Sequence, residues 1–326
     1  MPVRPACIAA IVCGALATAP GAVRAEQPAA RRQHTPAPSI AISRDTRLLV
    51  IAPHPDDETL GAGGIMQRVR SAHGVIRIVY LTDGEGYPEG VRAEDHVVAP
   101  TPDDYRGYGR RRRHEARDAM AALKLRDYTL TFLSFPDRGL SRLMTTYWSE
   151  HASAYRSPFT RLDRPPRSEM IVPDTEDRGE DLTQELASVI AEFKPTLLLV
   201  PRKEDQHPDH CASWFFAADA LSDVRRVRPE TSVDLVNYVI HFNGWPFQDD
   251  SPTLPPPPGL LGGVSGWVRF ELTRLEALAK REALQKYASQ MLVMSWFLDG
   301  FARGNEVFSR PALPHVTLPL HRSPCE

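Results

Sequence analysis

The chain has 326 residues, with 39 basic and 41 acidic side chains and a formal net charge of −2. That near balance excludes a global field drawing it to nucleic acid or to an acidic membrane surface. The length allows one large α/β domain or two smaller ones. The 30 prolines, concentrated at 158–173 and 255–258, read as stiff loops.

At the N-terminus, residues 1–25 have the pattern of a signal peptide. Arg4 supplies a positive start, 6–19 an apolar core, and Val23-Arg24-Ala25 a small-residue cleavage site. The core is too short to span a bilayer as a stable helix. The expectation is an exported protein, periplasmic or secreted after cleavage near Ala25, with no stable membrane insertion. Cleavage leaves Cys211 and Cys325, which read as no disulfide framework, with Cys211 as a small apolar helix residue. Residues 26–45 are polar and Pro/Ala-rich, a flexible arm before a single domain over 46–326.

Strand and helix patterns then alternate. The spacing predicts a strand over 47–52, a helix over 58–71 and a strand over 75–81. A helix follows over 108–124, with Ala116, Ala119, Met120 and Leu123 as its apolar stripe, and then a strand over 128–133. Beyond an insertion at about 141–178, Leu182, Leu186, Val189, Ile190 and Phe193 recur at helical spacing until Pro195 ends the run. An apolar strand over 196–200 comes next. Val268, Phe270 and Leu272 alternate as a late strand, and Thr273-x-x-Glu276 opens a final helix to about Gln290. This order predicts an α/β fold: a Rossmann-like, doubly wound, mostly parallel sheet with helices on both faces.

Two strand ends carry chemistry. Leu48–Ala52 runs into Pro53-His54-Pro55-Asp56-Asp57-Glu58, and Leu197–Val200 runs into Asp205-Gln206-His207-Pro208-Asp209-His210. Ligands of such sheets bind beyond the carboxyl ends of the strands, so the two clusters can face one crevice although 150 residues apart. Pro55 and Pro208 suit the first turns of the helices that follow. A hydrolytic zinc site takes three His/Asp/Glu ligands and leaves one position open. Adjacent residues on a tight turn point apart, so one of Asp56 and Asp57 can ligate while the other faces water. The residues alone leave open which does which.

The paired motifs Pro53-His54-Pro55-Asp56-Asp57-Glu58 and His207-Pro208-Asp209-His210 resemble the PIG-L/LmbE-like zinc de-N-acetylases, over about 47–290. Supporting likenesses are Thr82-Asp83-Gly84-Glu85, Arg112-x-x-Glu115 with Ala119 and Leu123, Phe135-Pro136-Asp137-x-Gly139, Lys280-x-x-Ala283-Leu284 and Ser289-Gln290. The resemblance implies one Zn²⁺ per chain on His54, Asp57 and His210, with Asp56 as general base and later acid. It implies His207 as oxyanion stabiliser oriented by Asp209, and Arg112 and Asp137 near the sugar. Glu58 is the next candidate base. The implied activity is removal of an N-acetyl or other N-acyl group from an amino-sugar glycoconjugate, a small molecule or oligosaccharide. The insertion at 141–178 and the loop at 243–263 have no clear family counterpart, and the insertion and the Pro255–Pro258 loop are expected to shape the pocket.

Other features read more plainly. Arg110 to Arg113 reads as a solvated helix face. Gly61-x-Gly63-Gly64 has the wrong spacing for a dinucleotide fingerprint. Trp148, Trp245 and Trp267 read as core or loop supports, and His241 as a strand-end residue that can reach the crevice. A metallophosphoesterase, or a non-catalytic glycan-binding protein on the same fold, are the competing functions; the first usually holds two metals, and the second needs neither Asp56 nor His207. Intact-mass analysis of the exported protein should give a chain beginning near Glu26; a cytosolic product retaining residues 1–25 overturns the leader.

Overall fold

The computed structural model describes residues 39–247, 251–260, 266–311 and 316–326. The leader and most of the N-terminal arm lie outside these residues. Among the described residues, seven strands form one sheet in the order β3-β2-β1-β4-β5-β7-β6. They are β1 (Arg47–Ala52), β2 (Val75–Thr82), β3 (Tyr128–Phe135), β4 (Leu197–Pro201), β5 (Asp234–Tyr238), β6 (Trp267–Glu271) and β7 (Asn305–Ser309). The first five are parallel, and β7 pairs antiparallel with both β5 and β6. The expected Rossmann-like sheet is present, extended by an antiparallel edge.

The packing follows from period-two alternation in buried strands. Leu48, Val50 and Ala52 face one core, shared with Ile65 and Met66 of α1 (Asp57–Ser71), Ala119 and Met120 of α3 (Pro102–Ala122), and Leu284 of α7 (Arg274–Leu284). Leu49 and Ile51 face the other, with Leu186 and Ile190 of α5 (Gly179–Phe193) and Ala217 and Leu221 of α6 (Pro208–Val227). The predicted α5 stripe is the one that is buried. The helix expected to run to Gln290 is two, α7 and α8 (Ala288–Asp299). α3 starts six residues earlier than its stripe suggests, because Thr101 and Asp104 close a capping box ahead of it. Two short helices, α2 (Pro88–Asp95) and α4 (Leu140–Leu143), had no readable period. No described helix is long and apolar enough to cross a membrane.

The glycines of α1 are there for close approach. A Cβ on Gly64 would stand 2.2 Å from Leu272, and one on Gly61 2.5 Å from the Tyr238 ring. That closeness admits a buried ion pair. Lys280 Nζ donates to Glu306 Oε1 (2.7 Å) and to Leu60 O (2.8 Å), while the Glu306 carboxylate accepts from the Gly64 and Ile65 amides at 2.7 and 2.9 Å. Both charges are fully satisfied within the α1, α7 and β7 packing.

Cys211 and Cys325 form a disulfide across 114 residues, with Cα atoms 5.5 Å apart. This corrects the reading of Cys211 as an unpaired helix residue. No spacing rule joins two cysteines so far apart; the return of the C-terminal tail to α6 does. Breaking a buried ion pair by removing one partner costs roughly 3–5 kcal/mol, so Lys280→Met should lower unfolding stability by about that much. Urea denaturation checks it, and a loss below about 1 kcal/mol would show that the pair contributes nothing net.

Candidate active site

The switch point of the sheet lies between β1 and β4, whose register pairs Leu48 with Leu197 and Val50 with Leu199. Both strands therefore end side by side, and their following loops meet. That is how His54 and His210 reach one another.

Three donor atoms form a nearly regular triangle. His54 Nδ1 and Asp57 Oδ2 are 3.2 Å apart, His210 Nε2 and Asp57 Oδ2 3.2 Å, and the two ring nitrogens 3.3 Å. Donors on a zinc tetrahedron with bonds of about 2.0–2.1 Å stand about 3.3–3.4 Å apart. The residue set and spacing fit that ion. Neighbouring trios, such as His54, His207 and His210 or Asp57, His210 and His241, also hold donor atoms within 4.8 Å of one another.

Each imidazole of the triangle is held by a carboxylate on its far nitrogen. His54 Nε2 faces Asp137 Oδ1 at 3.1 Å, and His210 Nδ1 faces Asp205 Oδ2 at 3.2 Å. A carboxylate there takes the N–H and leaves the inward nitrogen bare, the usual support of a metal-binding histidine. Asp205 is itself fixed by the amides of Ile240 (2.8 Å), His241 (3.1 Å) and His207 (3.1 Å). Asp137 accepts from Gly86 N at 2.7 Å. The expectation that Asp137 lies near the sugar is thereby modified: it lines the crevice, but its carboxylate serves His54. Asp205, visible in the second cluster yet given no role, holds His210.

The electrostatics agree. Burial opposes charge on His210, but Asp205 and Asp57 outweigh it and push the ring up to about 10. His54 moves well above its ordinary value, since Asp137, Asp209 and Asp57 overcome the same burial. Burial works against the Asp57 carboxylate, yet His210 and His54 hold it well below the usual range. These carboxylates favour positive charge at one spot, which is what a dication supplies.

Asp56 sits beside the triangle at a cost in backbone strain. Its φ is 143°, a conformation that L residues rarely adopt. Its amide donates to Glu58 Oε2 (3.1 Å), its carbonyl accepts from Thr59 and Leu60 (both 2.9 Å), and its Oδ2 meets Arg112 Nη2 at 3.0 Å. Burial raises the Asp56 carboxyl to about 7, against the pull of Arg112. Arg112 also donates to Pro55 O (2.8 Å) and Gly84 O (2.9 Å). Gly84 has φ 65° and no room for a side chain under that guanidinium. Arg112 thus lines the crevice as a brace for Asp56, not as a free sugar ligand. Of the basic run, Arg110 is exposed; Arg111 and Arg113 are paired to Asp95 and Asp83. The solvated-face reading fails for Arg112, which is buried.

Glu58 is turned away from the crevice. Its Oε1 accepts from Thr59 Oγ1 (2.8 Å) and the Tyr287 hydroxyl. It is a support of the Asp56 turn, not a spare base.

His207 lines the opposite wall. Its Nδ1 accepts the Asp209 amide at 3.2 Å, which leaves the proton of the neutral ring on Nε2. Burial, then the charges of His54 and His210, hold it well below its ordinary pKa and therefore neutral. The Asp209 carboxylate does not orient it. It accepts from Arg138 N (2.6 Å) and Leu140 N (3.1 Å) and lies 3.5 Å from His54 Nε2. Pro208 is the first residue of α6 with His207 as its cap, but Pro55 falls just outside α1.

The crevice over these groups has a volume of about 150 Å³, lined also by Leu60, Tyr87, His241, Gln290, Met294 and Phe297. His241 does reach it. The expected contribution of the insertion does not appear: residues 141–178 and 255–258 supply none of the lining, which comes from the β2–α2 turn and α8. The insertion instead borders a separate cavity of about 250 Å³ beside α3, through Thr160, Leu162 and Asp177. Trp245 is buried and Trp148 packs on Phe216, as core supports.

A seven-stranded, mostly parallel mixed sheet of this kind is the LmbE-like fold. Residues 49–221 match the family PIG-L, GlcNAc-PI de-N-acetylase. The chain belongs to this family. It is 30% identical over 198 residues to a 1D-myo-inositol 2-acetamido-2-deoxy-alpha-D-glucopyranoside deacetylase of Saccharopolyspora erythraea, covering 58% of each chain. A deacetylase of the same description from Kribbella flavida is 30% identical over 190 residues, 57% of each. The match therefore spans under two thirds of these relatives. Among solved structures, a deacetylase mutant from the teicoplanin biosynthetic pathway aligns with TM-score 0.52 and 17% identity, over 83% of this chain and 100% of that one. The 4-carboxy-2-hydroxymuconate hydratase of Pseudomonas putida KT2440 aligns with the same score, 14% identity and coverage of 83% and 98%. These likenesses show the fold.

About one divalent ion per chain should bind, and His54→Ala or His210→Ala should abolish it in metal analysis; full occupancy in both variants would overturn the triangle. Asp137→Asn and Asp205→Asn should each weaken the ion by roughly 10–100-fold in chelator competition.

Proposed function

We propose that the protein is a metal-dependent hydrolase that removes an N-acetyl or similar N-acyl group from an amino-sugar glycoconjugate. The observation that carries this reading is the donor triangle flanked by one buried carboxyl and one neutral imidazole, in a chain of this family. Zinc, once held by His54, Asp57 and His210, supplies Lewis acidity that polarises a carbonyl and acidifies water.

The chain's own groups supply the rest. Asp56, its Oδ2 fixed by Arg112, takes a proton from the attacking water and returns it to the nitrogen of the departing amine. A group near pH 7 in affinity suits both transfers, and its strained turn keeps it aimed at the crevice. His207 donates Nε2–H to the oxygen that gains charge as the amide carbonyl becomes tetrahedral. Water adds to the carbonyl carbon, the C–N bond breaks, and the products are a carboxylate and an amine. No Ser or Cys nucleophile is required.

The proposed setting is outside the cytoplasm. The leader pattern supports it, as does the Cys211–Cys325 disulfide, since such bonds persist in oxidising compartments. An exported enzyme meets envelope, extracellular or imported conjugates.

Zinc-loaded protein incubated with N-acetylglucosamine, short chitooligosaccharides and N-acylated glycoconjugates should free amine and acetate together. Phosphate release from phosphoesters, with no amide cleaved, would defeat the reading. Asp56→Asn should keep the metal and lose about 10²–10⁴-fold in kcat. His207→Ala should lose about 10²–10³-fold. Near wild-type kcat in either variant removes that residue from the chemistry.

A further inference from the structure

The 141–178 insertion encloses a site of its own. With α3 it borders the cavity of about 250 Å³, which is larger than the crevice and shares no lining residue with it. That volume holds on the order of eight waters. Thr160, Leu162, Arg164 and Pro166, alternate residues of the insertion, line one side. Two of its carboxylates stand out. Asp177 is 3% exposed; its Oδ1 is buried with no hydrogen-bond partner, and no cation pairs with the carboxylate among the described residues. Glu85 is 6% exposed; its Oε1 accepts the Asp137 amide at 3.2 Å, while its Oε2 is buried without a partner. Both residues line the cavity. Buried carboxylates are ordinarily paired or fully hydrogen-bonded. Burial, then Asp163 beside it, pushes Asp177 well above the usual carboxylate range against the pull of Arg164. Burial, then Asp137 and Asp83, does the same to Glu85.

The arginines of the same cavity are committed elsewhere. Arg113 is shared between Asp83 and Glu169, both at 2.7 Å, and Arg164 pairs with Glu176 at 2.6 Å. Arg106 pairs with Asp103 and donates to Thr160 O, and Arg110 is exposed. What lacks a counter-charge inside the cavity is therefore negative. An ammonium group supplies one positive charge and three N–H donors, and its bonds to carboxylates are of the strong, charge-assisted kind. Pro136, Leu162 and Pro166 add carbon surface, with Leu162 41% exposed, so the cavity suits a cation on a hydrocarbon frame. A metal ion fits less well: among the described residues neither Glu85 nor Asp177 belongs to a cluster tight enough to share one. We infer that this cavity is a second binding site, for a small organic ammonium ion held by Asp177 and Glu85. The site is independent of the proposed de-N-acylation.

The probe is cyclohexylammonium, with cyclohexanol as its neutral counterpart of like size, each titrated calorimetrically into the metal-loaded protein. About one equivalent of the ammonium should bind, and cyclohexanol about tenfold more weakly or worse, the worth of a hydrogen bond to a charged group. Asp177→Asn should weaken the ammonium by about tenfold or more. Glu85→Gln, which keeps an oxygen for the Asp137 amide, should do the same, and it decides the matter if Asp177→Asn does not fold. Asp174→Asn removes an exposed charge of the insertion outside the cavity and should keep the wild-type affinity. His54→Ala should keep it too; loss there would place the ammonium among the metal donors and overturn the inference. Equal binding of the two probes, binding of neither, or an affinity unchanged in both Asp177→Asn and Glu85→Gln also overturns it. So does a calcium ion that displaces the ammonium from the wild type and fails to bind Asp177→Asn, which would assign the cavity to a metal.

Discussion

Everything at the crevice depends on which nitrogen each of two imidazoles leaves bare. His54 would hold a metal through Nδ1 and His210 through Nε2, their opposite nitrogens giving their protons to Asp137 and Asp205. Swap either tautomer and a proton points into the triangle, where no acceptor but Asp57 can take it. The two outer carboxylates are therefore as much part of the site as the inner donors. Their positions are fixed by backbone amides: Gly86 for Asp137, and Ile240, His241 and His207 for Asp205. Those amides stand in the segments that follow β2, β4 and β5, so the loops at the carboxyl edge of the sheet set the protonation pattern.

The same economy appears around Asp56. A carboxylate next to a ligand tends to swing in and become a second ligand. Here the φ of 143° and the Arg112 contact hold its side chain to one side. Glu58 and Tyr287 stabilise the turn from behind, and Glu115 ties α3 to the start of α8 through Ser289 at 2.7 Å. Strain at one residue is thus opposed by a network reaching three helices. Such an arrangement is expected where a side chain must be aimed and not merely present.

The fold was legible in the sequence wherever a period was unambiguous. The alternating order to 201, the α5 stripe and the meeting of His54 with His210 followed from strand ends and topology alone. The C-terminal third was less readable because β5 and β7 bury polar residues (Asn237, Asn305, Glu306 and Ser309) and α8 is apolar over most of its surface, so neither period stands out. His54, Asp57 and His210, the residues the resemblance implied as ligands, stand together as a donor triangle. What could not be read was side-chain direction. Asp137 and Asp205 face inward to histidines, Asp209 accepts the Arg138 and Leu140 amides beside His54, and Glu58 faces Tyr287; each is a carboxylate shortly after a strand end. Sequence spacing cannot separate these outcomes, since they depend on which backbone amides stand free nearby. The disulfide and the displaced insertion were hidden for the same reason: both are set by tertiary approach.

A fold shared with a muconate hydratase cannot by itself select amide hydrolysis. The proposed selection rests on the charge states of the flanking groups. An unactivated amide needs its oxygen stabilised and its nitrogen protonated in the same turnover, because an amine is a poor leaving group. A permanently charged histidine on both walls would stabilise the oxygen but offer no acceptor for the water proton. An ordinary surface Asp would accept that proton too weakly to hold and return it. Burial resolves both: it keeps His207 neutral with Nε2–H available and lifts Asp56 to about 7. In the proposed mechanism two residues of ordinary type become a donor and a proton carrier because burial shifts both, beside the donor triangle. Burial of Asp56 and His207, added to the identity of the donors, is what suits this site to the proposed cleavage of an amide.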